Sequence, residues 1–194
     1  MQIVVEKEKL RNIIKSIVRS DADYYIFAEA RDGLSLYIAL DVATRGQNRM
    51  KMTYHINHRK IKNICYDIAR RIVDEVGGNL YGTILDVAQT FHYVIEMRQL
   101  EDKSKKRMSG IYEVCLDETN GIVTVNTICK YIQETDSWTW NNTIGKDKEE
   151  VGKFENALAL QQFKNNLKLL AEKYPMADED KQTIFDYSFL KGGK

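Results

Sequence analysis

Tyr24-Tyr25-Ile26-Phe27-Ala28 is an unbroken apolar and aromatic run that ends abruptly in a carboxylate, Glu29. The run reads as a buried parallel strand. An acid at the carboxyl end of such a strand sits where open α/β sheets bind ligands. It could coordinate Mg²⁺ directly or through water, or accept a proton from a water attacking a γ-phosphate. A strand-end acid can equally be a helix cap or a surface charge, so Glu29 alone does not define an enzyme. Arg31 lies two residues on and could share in that chemistry or simply pair with Glu29. Farther along, Thr44 and Thr53-Tyr54-His55 add hydroxyls and an imidazole, although a histidine at a strand end is often only structural.

The elements that must position these groups follow from periodicity. Leu10, Ile13, Ile14, Ile17 and Val18 have helical spacing ahead of the first strand. Leu34 to Val42 returns to it after the strand, with Arg45-Gly46 as a stop. Met50, Met52 and Tyr54 alternate with polar residues, which predicts a second strand reaching about His55. The clearest helix carries Ile61, Ile64, Cys65, Ile68, Ile72, Val73 and Val76 on one stripe and stops at Gly77-Gly78. A shorter helix covers roughly 80–89. Three strands follow, over Tyr93 to Leu100, Met108 to Leu116 and Ile122 to Ile132, with Asn120-Gly121 as a hairpin turn. Thr135 to Glu150 looks like a polar linker, and a last helix is expected over Asn156 to Lys173, closed by Pro175. The indoles of Trp138 and Trp140 are expected to pack on that helix, a partner interface being the other reading.

This order predicts an α/β fold, parallel strands with helices followed by an antiparallel meander and a C-terminal helix. The expected division is a main portion over 1–132 and a variable loop, helix and tail over 133–194. A length of 194 residues with 43% apolar content is enough for one sizeable core. With 29 Lys+Arg against 28 Asp+Glu, the chain lacks the positive field that nucleic acid or an anionic membrane would attract. Direct membrane insertion is not expected, because no stretch approaches the roughly 20 apolar residues of a spanning helix. Cys65, Cys115 and Cys129 are too far apart for a C-x-x-C pair and read as reduced, buried thiols. With no export signal at Met1, they predict a cytoplasmic location.

The order of Arg19, Asp23, Glu29, Arg31, Thr44, Thr53 and His55 resembles the ATPases of type II and type IV secretion systems and of type IV and Flp pilus assembly. Phe91 to Leu100, the turn at Asp102 and Lys106 to Val114 resemble a two-strand hairpin of the same family across both strands and the turn. The likeness covers roughly residues 7 to 132 and is nearest the Flp-pilus type, which has no four-cysteine zinc motif. It implies a RecA-like P-loop core with Mg-ATP as cofactor. Glu29 would be the Walker B catalytic carboxylate and metal ligand, His55 the γ-phosphate sensor, and Arg31, Thr44 and Thr53 further nucleotide-site residues. It also implies oligomers and partners in secretion or pilus machinery at the inner membrane face. The chain departs from the pattern at Ala22, Ala28 and Thr44-Arg45-Gly46.

One part of such a motor is missing from this sequence. A P-loop, G-x-x-x-x-G-K-[ST], cradles phosphates with backbone N–H groups and neutralises them with its lysine. Only 28 residues precede Glu29, and none form this pattern. Gly77-Gly78-Asn79-Leu80-Tyr81-Gly82-Thr83 has the glycines without the lysine and reads as a turn between helices. The chain alone is therefore not expected to turn over or tightly bind ATP. In the family's fold the P-loop strand lies beside the Walker B strand, so a vacant position is expected there. Re-pairing, self-association or a separate P-loop-bearing polypeptide would fill it. The alternative is a degenerate, non-catalytic assembly subunit.

Overall fold

A computed structural model describes residues 24–45, 49–100 and 102–192, together with Asn12, Lys15, Ser16 and Arg19. The apolar stripe expected over Leu10 to Val18 lies outside the described residues. The fold is mixed α/β, with one parallel and one antiparallel sheet. Two compact units divide between Thr90 and Phe91, the last residues from Leu190 grouping with the first unit. No helix among the described residues is long and apolar enough to cross a membrane.

In the first unit, β1 (Tyr24–Ala30) pairs in parallel with β2 (Arg49–Tyr54), and α1 (Gly33–Arg45) makes the crossover. A 3₁₀ turn (His58–Asn63) leads into α2 (Ile64–Val76), followed by α3 (Leu80–Thr90). The core is mostly helical: Leu36, Ala39 and Val42 of α1, Cys65, Ile68 and Ile72 of α2, and Ile84 and Val87 of α3 are all buried. Each of the Val, Leu and Ile side chains among them contributes about 1.5–3 kcal/mol on leaving water. α1 and α2 meet closely at Gly33, where a Cβ would collide with the Arg71 carbonyl. Gly77 and Gly78, with φ of 86° and 119°, make the turn between α2 and α3, as the sequence predicts.

β1 corrects one expectation. Only Tyr25 and Phe27 pack against Val42, while Ile26 on the other face is 75% exposed. Among the described residues the packing on these two strands comes from one side, so the aromatic run is half-buried rather than buried.

In the second unit, β3 (Tyr93–Gln99), β4 (Lys106–Asp117), β5 (Ile122–Ile132) and β6 (Ser137–Trp140) form an antiparallel meander. Gly121, with φ of 69°, supplies the left-handed residue of the β4–β5 turn. β5 is shared: its second half pairs with β6, and its first half with β7 (Gln182–Asp186), which follows a short helix α5 (Asp178–Lys181).

The Thr135 to Glu150 segment is not a linker. It contains β6 and the start of α4 (Lys146–Lys173), because Ser137 to Trp140 can ladder with Cys129 to Ile132. α4 itself breaks at Asn156, whose φ of −160° and ψ of 88° are not helical. Asn156 Oδ1 accepts from Ala159 N at 2.9 Å, capping the second arm where the sequence places a helix start. Lys164 Nζ reaches back to Glu149 Oε1 at 2.8 Å. The element is thus a helical hairpin, with arms over 146–155 and 157–173.

Trp140 exchanges backbone hydrogen bonds with Tyr174 and Met176 just beyond α4. Trp138 instead donates its indole N–H to the Met108 carbonyl and packs on Tyr131, so the sheet holds it rather than the helix. The three thiols are unpaired, Cys65 and Cys129 buried and Cys115 partly so. Burial pushes the Cys65 thiol up to about 12, which makes it a poor nucleophile.

Candidate functional site

The carboxyl ends of β1 and β2 carry the site. Phe27 pairs with Met52 but Ala30 with Tyr54, so β1 holds one extra residue between them. Without that bulge, strand alternation would turn Glu29 to the side of Tyr25 and Phe27. With it, Ala30 takes the buried position and Glu29 faces outward. The Thr53 hydroxyl donates to the carbonyl of Ala28, within the bulge. Its role is thus to tie the two strands where Glu29 is re-aimed.

Three side chains converge there. Arg31 Nε lies 2.6 Å from Glu29 Oε1, and His55 Nε2 lies 3.0 Å from the same oxygen. Glu29 is the most sheltered member at 30% side-chain exposure, against 76% for Arg31 and 85% for His55. The Arg31 hydrogen bond, more than the charge or hydrogen bond of His55, holds the Glu29 carboxyl below its ordinary value. A carboxylate so held stays ionised and is a weak proton acceptor. It serves better as a fixed negative charge that organises its two partners.

Thr44 is not brought to this group. It lies in the last turn of α1, which starts beside Arg31 and runs roughly 20 Å to the other end of the strands. Its hydroxyl donates to the Asp41 carbonyl of its own helix at 3.1 Å. The first turn of α1 offers little to a phosphate. Asp32 Oδ1 accepts from Ser35 N at 2.7 Å, and Glu75 Oε2 accepts from Gly33 N at 2.7 Å.

A network not anticipated from the sequence stands behind the group. Tyr54, next to His55, donates to Asp67 Oδ2 at 2.5 Å, and Lys60 Nζ donates to Asp67 Oδ1 at 3.2 Å. Arg71 Nε lies 3.3 Å from the same carboxylate, and Arg71 also donates to the Arg31 carbonyl. Burial works to raise the Asp67 carboxyl, but hydrogen bonds from Tyr54 and Lys60 and the Arg71 charge hold it low. The available signal was a carboxylate at position 67, between the stripe residues Ile64 and Ile68.

Mg-ATP, implied by the resemblance, fits this donor set poorly. A magnesium ion normally arrives on substrate phosphates and takes one or two carboxylates. Here the single acid already carries a guanidinium, whose charge repels a cation. Among the described residues no group of three or more His, Cys, Asp or Glu could hold a metal. Neither a family model nor a curated protein matches the chain.

Proposed function

We propose that this chain is the C-terminal portion of a secretion or pilus-assembly ATPase motor of RecA-like type. It would contribute the Walker B carboxylate Glu29 and the histidine His55, and not the phosphate loop. The observation that carries this reading is the approach of His55 to Glu29 across the ends of two parallel strands. A nucleotide γ-phosphate sensor and a Walker B acid would need that placement. The partner would be a P-loop-bearing polypeptide or further copies of the chain, working in the cytoplasm at the inner membrane face through secretion or pilus machinery.

The test is ATP hydrolysis by the purified chain alone and with an added P-loop-bearing polypeptide, sought first in the neighbouring coding region. The chain alone should be silent. The mixture should turn over ATP and lose that activity on Glu29→Gln. Hydrolysis by the isolated chain that depends on Glu29 would overturn the proposal.

The second reading is a degenerate subunit that serves in assembly without nucleotide. It is favoured by the ion pair that keeps Glu29 occupied and by the remote position of Thr44. On this reading no P-loop partner restores hydrolysis, and calorimetric titration of the mixture with Mg-ATP shows no binding that depends on Glu29.

A further inference from the structure

We propose that the outer edge of β3 is a self-association surface, taking a second copy of the same strand antiparallel across a twofold axis at Ile95. This inference rests on no nucleotide chemistry. His92 O accepts from Val114 N at 2.9 Å, so the even-numbered residues of β3 turn their backbone groups toward β4. Those of Tyr93, Ile95 and Met97 point to the other side. Among the described residues no strand pairs there, and β3 ends the sheet.

The same three residues share one face and are 52%, 63% and 62% exposed. Large apolar side chains on an unpaired edge, with no proline or lysine among residues 93–97, are the features that folded proteins normally avoid.

The occupant follows from self-complementarity. In an antiparallel register centred on Ile95, each Ile95 exchanges both backbone hydrogen bonds with its copy, and Tyr93 does so with Met97. Within residues 93–97 the opposed side chains on that face are then only Tyr, Ile and Met. On the other face Glu96 lies opposite Val94. The Glu96 carboxylate is already held by Arg98 at 2.9 Å and Tyr112 at 3.0 Å, so no like charges meet. A net charge of +1 adds no appreciable repulsion between copies. The interface is isologous and closes as a dimer, with a continuous sheet across the axis.

The experiment is light scattering on the full chain over a range of concentrations, joined to hydrogen exchange resolved at single amides. The expected mass is twice the 22.5 kDa of one chain. The amides of Tyr93, Ile95 and Met97 should slow by about tenfold or more as concentration rises. Ile95→Lys sets two ammonium groups against each other on the axis and should return the mass to that of one chain. Because Ile95 is mostly exposed, circular dichroism should be unchanged. Phe154→Lys, at the tip of the α4 hairpin, should leave the dimer intact. A single-chain mass at every concentration overturns the proposal. So does a dimer that survives Ile95→Lys, or one in which those three amides exchange freely, as would follow if the α4 hairpin or another partner were the true interface.

Discussion

His55 Nε2 and Arg31 Nε meet on a single oxygen, Glu29 Oε1, at 3.0 Å and 2.6 Å. Two groups from different strand ends therefore share one acceptor, and the Arg31 hydrogen bond does most to hold Glu29 low. The relationship depends on the bulge in β1, which turns Glu29 out of the Tyr25 and Phe27 face.

Removing the guanidinium tests that ranking. Arg31→Met should raise the Glu29 carboxyl toward its ordinary 4.5, read by carbon-detected NMR titration. The folded-state value is depressed, so the pair favours the fold above that ordinary value and ceases to do so as pH falls through the folded one. The variant should lose less stability on acidification than the parent. An unchanged Glu29 titration would show that Arg31 is not its main partner.

A stronger case of the same sign lies in the second unit. Arg107 and Tyr131 both donate to Asp136, and the Arg107 hydrogen bond leads in lowering its carboxyl from 3.8 to about 2. Its contribution to stability is complete above 3.8 and disappears between that value and about 2. Arg107→Ala should bring the Asp136 titration back toward 3.8, with a smaller loss from Tyr131→Phe.

Glu113 is fully buried, and no ion pair to it is found among the described residues. Its Oε2 accepts from Asn126 Nδ2 at 2.9 Å and from Gly145 N at 2.8 Å, and its Oε1 from the Tyr93 hydroxyl at 3.3 Å. Glu113→Ala strands these donors and should cost about 3 kcal/mol in urea unfolding. Glu113→Gln keeps an acceptor for Asn126 and Gly145 and should cost about 1 kcal/mol.

The α4 hairpin makes a geometric prediction. Glu149 and Lys164 are 15 residues apart yet 2.8 Å from each other at their charged ends. A continuous helix would hold them about 22 Å apart. Spin labels at Glu150 and Asn165 should report a separation well below that length. Asn156→Ala, which removes the cap of the second arm, should destabilise by about 1 kcal/mol in thermal unfolding.

Much of this architecture was legible in local pattern. The glycine turn after α2, the Asn120-Gly121 hairpin and the long β4 and β5 runs appear within a residue or two of where periodicity places them, and the α2 stripe does so from Ile64 onward, its first residue Ile61 lying in the 3₁₀ turn. β6 and β7 were not legible. Each is short and polar-flanked, and each exists because β5 offers half of one edge. The arm over 146–155 was hidden for a related reason: its charges suit a linker, and it becomes structure by folding back on 157–173.

The site divides in the same way. An acid after an apolar run drew attention to Glu29 without coordinates, while Arg31, Thr53 and His55 were singled out through the family resemblance. Which of them meet was a tertiary outcome. One extra residue in β1 turned Glu29 outward, parallel pairing carried His55 to it, and the length of α1 carried Thr44 to the far end. Side-chain chemistry is written residue by residue. Convergence depends on strand register and crossover direction, which only long-range pairing sets.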